Sequence, residues 1–308
     1  MLTRRHVRIK VMQSLYSYSN SKDKTLKLHL VFFKNSIKKS FDLYYLLISI
    51  FKFVYIKAND NVSFNNQINK NSSDSLESKI LTNPFFIYLA HNKSIDKYLK
   101  NNIITNWIDD NKYIEDLYKS FGNLIKEHIA NDIIISEDEF CMNFYKDIIA
   151  SSNKLYDYIE DSELTWIDDF PLINTHIVKQ IKSFFTTPST KLNLPIYNLK
   201  QDEVNFGKNL LNYILLNTES LDQEIIGRTP NWEFDRIANL DYILIKMAIT
   251  EFLFFQEIPF KVTINEYLEI AKDYSTPKST IFINGVLDNI SKDLDSKGKL
   301  NKKGRGLL

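Results

Sequence analysis

Seven glycines in 308 residues is the feature that most limits what this chain can fold into. Tight hairpin turns, phosphate-cradling loops and sharp strand-to-helix turns need a positive φ or a close backbone approach, which glycine supplies. A chain this poor in glycine has to change direction mainly through helix caps. The apolar pattern agrees: spacings of three and four residues recur nearly everywhere, and strand alternation is missing. The expectation is an all-α protein.

That spacing predicts helices over Thr3–Tyr18, Ser36–Ile56, Pro84–Ala90, Ile95–Trp107, Tyr113–Ile129, Glu137–Ile149 and Leu172–Phe185. Four more follow at Asp202–Leu216, Leu240–Phe255, Ile264–Tyr274 and Pro277–Leu294. In the first helix Val7, Val11, Ser14, Leu15 and Tyr18 form one stripe, and Ile9, Met12 and Tyr16 a second. His6, Lys10, Gln13 and Ser17 are left as a wedge for solvent. In the last helix Phe282, Ile283, Val286 and Ile290 share one side, opposite Ile281, Asn284, Gly285 and Asp288. Thr276-Pro277 reads as a cap followed by proline at the first helical position, and Pro259 stops the helix before it. Residues 59–78, rich in Asn, Ser, Asp and Lys, read as a flexible linker. Thr186–Pro195, with two prolines and no periodicity, reads as a boundary.

Apolar residues at 44% and charged residues at 25% fit a globular chain. The lone cysteine, Cys141, excludes a disulfide framework and a multi-cysteine metal site. The greasiest stretch, Leu43–Ile56, is interrupted by Ser49 and Lys52 and falls short of the roughly 20 apolar residues that cross a bilayer. With no signal peptide either, the expected location is the cytoplasm and no membrane partner is expected. Net charge is only +1, but it is unevenly spread. Residues 1–58 carry 12 Lys or Arg against Asp23 and Asp42, residues 101–170 carry 16 Asp or Glu against five Lys, and residues 297–308 hold five basic residues and no acid. Two basic ends flank an acidic middle, a distribution that suits a polyanion partner.

Reactive chemistry is hard to find. Asp109-Asp110, Glu137-Asp138-Glu139 and Asp168-Asp169 are adjacent on helices, where neighbours point about 100° apart and do not converge on one ligand. Helix starts and solvated faces account for them. His6, His29, His91, His128 and His176 sit at no metal-ligand spacing. No nucleophile motif or glycine loop is present, so no enzyme activity, metal or cofactor is expected. Two local conflicts say more. Arg4, Arg5 and Arg8 crowd the partly positive start of a helix, where an anion or acids of the middle segment would relieve them. Gly285 sits inside a helix where alanine is better by about 1 kcal/mol; a close helix or a ligand could account for it.

Three ordered motifs resemble the bacterial transcription antitermination factor NusB family. Arg4-Arg5-His6-Val7-Arg8, leading to Gln13-Ser14-Leu15-Tyr16, is similar to its arginine-rich start and Gln-Ala-Leu-Tyr signature. Ile258-Pro259-Phe260-Lys261-Val262-Thr263-Ile264-Asn265-Glu266 resembles its proline turn and Ile-Asn-Glu helix start, with Glu269-Ile270-Ala271-Lys272 in register. Phe282-Ile283-Asn284-Gly285-Val286-Leu287-Asp288 resembles its Phe-Val-Asn-Gly-Val-Leu-Asp motif.

The resemblance implies an all-α pair of small helical sub-bundles built from residues 1–19 and 200–294. It leaves an additional helical insertion at 20–199 and a basic tail at 295–308. It also implies a non-enzymatic factor that binds boxA-type single-stranded RNA of nascent rRNA with NusE, a small-subunit ribosomal protein. That pair would act in the RNA polymerase elongation complex with NusA and NusG, in read-through and rRNA maturation. Position by position, Arg4, Arg5, Arg8, Gln13, Tyr16, Phe282 and Asn284 match the RNA side, and Glu251 the NusE side. Ile9 and Lys10 depart from positions that are often acidic and small. Two rivals are a helical protein-interaction scaffold with only non-specific RNA affinity, and an RNA cytosine methyltransferase. The latter lacks its glycine fingerprints and strands here.

Overall fold

A computed structural model describes residues 1–66, 75–131, 133–187, 191–197, 202–226, 237–298 and Lys302. Its helices run in the order α1 (Arg4–Asn20), α2 (Leu26–Asn66), α3 (Leu76–Thr82), α4 (Pro84–Ala90), α5 (Lys93–Asn101), α6 (Asn106–Asp109), α7 (Asn111–Ala130) and α8 (Glu137–Asn143). A π-helical stretch (Phe144–Ala150) follows, then α9 (Asn153–Ser162), α10 (Trp166–Thr186), α11 (Asp202–Leu216), α12 (Thr218–Ile226), α13 (Asn239–Phe254), α14 (Phe260–Tyr274) and α15 (Pro277–Ser296). The fold is all-α, and no strand occurs among the described residues. Nor is any helix there long and apolar enough to cross a membrane.

The chain divides into two compact units. One comprises Met1 and residues 38–197, the other residues 2–37 and 198–308. The division falls after Ile37, inside α2, so residues 20–37 fall in the same compact unit as the first helix. The 38–197 unit is built on aromatic packing. Phe51 meets the rings of Phe85, Phe86 and Phe144 at centroid distances of 5.1, 4.9 and 5.1 Å, and Phe121 meets Phe140 and Phe144 at 4.7 and 4.6 Å. Cys141 is buried here against Asn83, and burial pushes its thiol well up. Glu137, Asp138 and Glu139 form the first turn of α8 behind a Ser136–Glu139 capping box, and Asp168 and Asp169 the first turn of α10.

Two expectations in this unit need correction. Residues 59–66, read as linker, continue α2 as helix, and 76–78 begin α3 behind the Ser75 cap. The rest of that expected linker, 67–74, lies outside the described residues. Composition misled because polar residues can occupy an exposed helical end as readily as a loop. Helix α10, expected from Leu172, starts at Trp166 and passes through Pro171. Its start is held from outside: Trp166 Nε1 donates to the Lys39 carbonyl at 2.8 Å and Ser40 Oγ to Asp169 at 2.7 Å.

In the second unit α13, α14 and α15 pack pairwise on one another, while α1 lies on α11 and also touches α13 and α14. Helix α1 is thus enclosed on most sides, which is why Lys10, expected in a solvent wedge, is buried at 1% exposure. Gly207 allows this crowding. A Cβ there would overlap Val7 Cγ1 and the Phe33 ring, so α1, α2 and α11 approach closely only because that position lacks a side chain.

Candidate nucleic-acid interface

No acidic residue occupies the first turn of α1, so its arginines must find partners elsewhere. They find them on α13 and α14, not in the acidic middle segment. Arg5 grips Glu266 with two parallel bonds, Nε to Oε2 at 3.1 Å and Nη2 to Oε1 at 2.8 Å, and its Nη1 lies 3.9 Å from Glu269. The Arg5 side chain is still 41% exposed. Arg8 is buried. Its Nε and Nη2 donate to the two Glu251 oxygens at 2.7 and 2.9 Å, and its Nη1 to Glu266 at 3.2 Å. Arg4 is exposed, its guanidinium 5.4 Å from the Phe206 ring centre.

Glu251 is enclosed completely. Besides Arg8, its carboxylate accepts from Tyr267 at 2.5 Å and from Thr263 at 3.3 Å, which fills its acceptor sites. Burial alone would lower the Arg8 guanidinium, but Glu251 outweighs it and raises the group above its ordinary value. Burial, then the Glu251 charge, pushes the Tyr267 phenol well up, so it remains a donor. Glu251, the residue matched to the NusE side, is thus a fully enclosed carboxylate with four donors around it. Arg8, buried against it, fixes α1 to α13 and offers no open edge to RNA. Lys302, from the basic tail, donates to the carbonyls of Glu251 and Phe255 at 2.8 and 2.9 Å, closing the end of α13.

The candidates Gln13 and Tyr16 lie toward the other end of α1. Tyr16 is 50% exposed and Gln13 half-buried. Arg5 and Tyr16, eleven residues apart, return to nearly the same angular position and lie about 17 Å apart along the axis. Asn239 donates to Ser19 Oγ at 2.9 Å, and Ser275 to Asp241 at 2.7 Å. The end of α1 and the turn into α15 therefore both meet the start of α13. On α15, Phe282 is half-buried while Ile281, Asn284, Gly285 and Asp288 are exposed, as the pattern predicts. Of the two readings of Gly285, close packing is excluded: a Cβ there would meet nothing within 4 Å.

The candidate residues thus lie on two helices, Arg4 and Arg5 near the start of α1 and Tyr16 near its end, with Phe282 and Asn284 on α15. Between them they offer guanidinium forks, aromatic faces and amides, the groups that suit phosphates and unstacked bases. Periodicity along the chain gave no sign of the grip of Glu266 and Glu269 on Arg5. The available signal was the absence of any acid near the three arginines. No cluster of three metal-ligating side chains occurs among the described residues.

Residues 173–292 match the sequence model of the NusB family. Relatives include the transcription antitermination protein NusB of Salinibacter ruber, 48% identical over 103 residues, which are 33% of this chain and 64% of that protein. The NusB of Chloroherpeton thalassium is 44% identical over 99 residues, 32% of this chain and 47% of its own length. That of Geobacter sulfurreducens is 41% identical over 93 residues, 30% of this chain and 67% of its own length. The chain belongs to the NusB family. Its matched part spans between about half and two thirds of these relatives. No solved structure matches it. The family match begins inside α10 and excludes α1. The link between α1 and the NusB-type helices is physical: its arginines close on Glu251 and Glu266, both inside the matched segment.

Proposed function

We propose that this NusB-family protein is a cytoplasmic transcription antitermination factor that works by recognition and has no catalytic activity. It binds boxA-type single-stranded RNA of nascent rRNA together with NusE. In the RNA polymerase elongation complex, with NusA and NusG, it supports read-through and rRNA maturation. Residues 2–37 and 198–294 carry the RNA role, and residues 38–197 are an added helical unit. Arg4 and Arg5 meet phosphates, Tyr16 and Phe282 stack on bases, and Gln13 and Asn284 supply amides to base edges. Arg8 and Glu251 hold α1 in place behind them.

The observation that carries this reading is Gly285. It is an exposed mid-helix glycine with open space over it, beside an exposed Asn284. Nothing in the fold needs it, and alanine would make a better helix. A ligand that must approach the helix backbone accounts for it. A second reading, a protein-interaction scaffold with only non-specific RNA affinity, draws on the internal pairing of Arg5 and Arg8, which leaves little free charge. Titration with a boxA-type RNA and a scrambled control, with and without NusE, at two salt concentrations separates them. Preference for boxA that strengthens with NusE is expected. Equal, salt-sensitive binding indifferent to NusE would put the scaffold in its place.

A further inference from the structure

We propose that Glu266, with Glu269 beside it, competes with RNA phosphate for the Arg5 guanidinium and so sets the affinity of the RNA surface. The inference rests on the RNA-binding reading above and adds to it an internal competitor. A guanidinium fork takes a carboxylate and a phosphate through the same pair of parallel N–H bonds. In this structure that pair, Nε and Nη2 of Arg5, is on Glu266, and the remaining edge, Nη1, faces Glu269 at 3.9 Å. A phosphate reaching Arg5 must therefore displace or share a carboxylate.

The surroundings are suited to such an exchange. Arg5 and Glu266 are both partly open, at 41% and 22% side-chain exposure, so an incoming anion can reach them. Neither carboxylate would be stranded by the swap. Glu266 keeps the bond from Arg8 Nη1 at 3.2 Å, and Glu269 keeps the ammonium of Lys272 at 2.5 Å. Buried Arg8 stays on Glu251 throughout, so the exchange changes the partner of one surface arginine and leaves the anchoring of α1 intact. Arg5, through its bond, holds the Glu266 carboxyl below its ordinary range, so the competitor is charged at neutral pH.

The test uses the full chain and a boxA-type single-stranded RNA, titrated over a range of salt for wild type, Glu266→Gln, Glu269→Gln and Arg5→Ala. Glu266→Gln keeps the side-chain shape while removing one unit charge beside the phosphate. It is expected to bind about fivefold tighter at low salt, with the log–log salt slope steeper by about 0.7 as Arg5 is released to a phosphate. Glu269→Gln, which cannot disturb Arg8, is expected to tighten binding less, and Arg5→Ala to weaken it. A merely structural role for Glu266 would lower the melting temperature without steepening the slope. Weaker binding by Glu266→Gln in a folded protein would make Glu266 a support for Arg5 and overturn the competition. RNA binding that persists unchanged in Arg5→Ala would overturn it too, while leaving the RNA-binding reading standing. Absence of binding by both wild type and Glu266→Gln would end both.

Discussion

Within the 38–197 unit, polar side chains buried among the helices pair mainly through neutral donors. Tyr44 donates to Gln180 and Tyr145 to Asn174, each at 2.7 Å, and Ser40 donates to Asp169. In the other unit the deepest polar contact is a guanidinium on a carboxylate, Arg8 on Glu251, with Tyr267 and Thr263 closing around it. A buried ion pair is seldom the most stable filling for a core, since desolvating two charges offsets most of their attraction. What it adds is directional: α1 can dock in only one rotation and register. The unit of residues 2–37 and 198–308, which holds most of the matched segment, fixes α1 by charge, and the 38–197 unit fixes its helices by aromatic packing.

The largest test of that contrast is Glu251→Ala. It leaves the Arg8 charge buried with its main partner gone, and the expected loss is about 3–5 kcal/mol in urea denaturation. The double variant with Arg8 and Glu251 both replaced by leucine should recover most of that loss. If the double variant is as unstable as the single one, packing and not the charge pair fixes α1. Next in size is Gly207→Ala, which forces a methyl against Val7 and Phe33. Overpacking there should lower stability by about 1–3 kcal/mol. A neutral result would mean that α1 and α2 can part from α11 without cost.

How much of this was legible from residues alone follows the same division. The start of α15, the Thr276 cap and the exposed Asn284–Gly285 face were readable because proline, cap and periodicity act within a few residues of each other, whereas α14 starts at Phe260, four residues before the expected Ile264. The Arg5–Glu266 and Arg8–Glu251 pairs were not, because they join positions 261 and 243 residues apart. Lys10 misled for a related reason: periodicity says which faces of a helix are apolar, not how many neighbours enclose it. Burying it, like carrying α10 through Pro171, is a decision of tertiary packing over local preference.

A smaller effect belongs to the 38–197 unit. Burial lowers the His176 imidazole to about 4, from an ordinary 6.5. Its Nε2 is buried without a hydrogen-bond partner, and its ring lies edge-on to Tyr44. The unfolded chain therefore takes up a proton between pH 6.5 and 4 that the folded chain refuses, so stability falls as the pH falls through that window. His176→Gln should remove this part of the acid slope, about 1 kcal/mol once its partial exposure is allowed for. An identical slope in the variant would mean that water reaches the ring in the folded state.

Gly285→Ala carries the smallest expected change in stability and bears most directly on function. With nothing within 4 Å of the added methyl, the helix should gain up to about 1 kcal/mol, the opposite sign to the same substitution at Gly207. One replacement at two helical glycines of one unit thus separates a position kept for packing from one kept for something outside the fold. If a ligand backbone approaches α15 there, the more stable variant binds boxA-type RNA more weakly, and its melting curve and titration move in opposite directions. If both improve or binding is unchanged, the open face of α15 is not where RNA lies, and recognition has to be sought around Tyr16 and the arginine end.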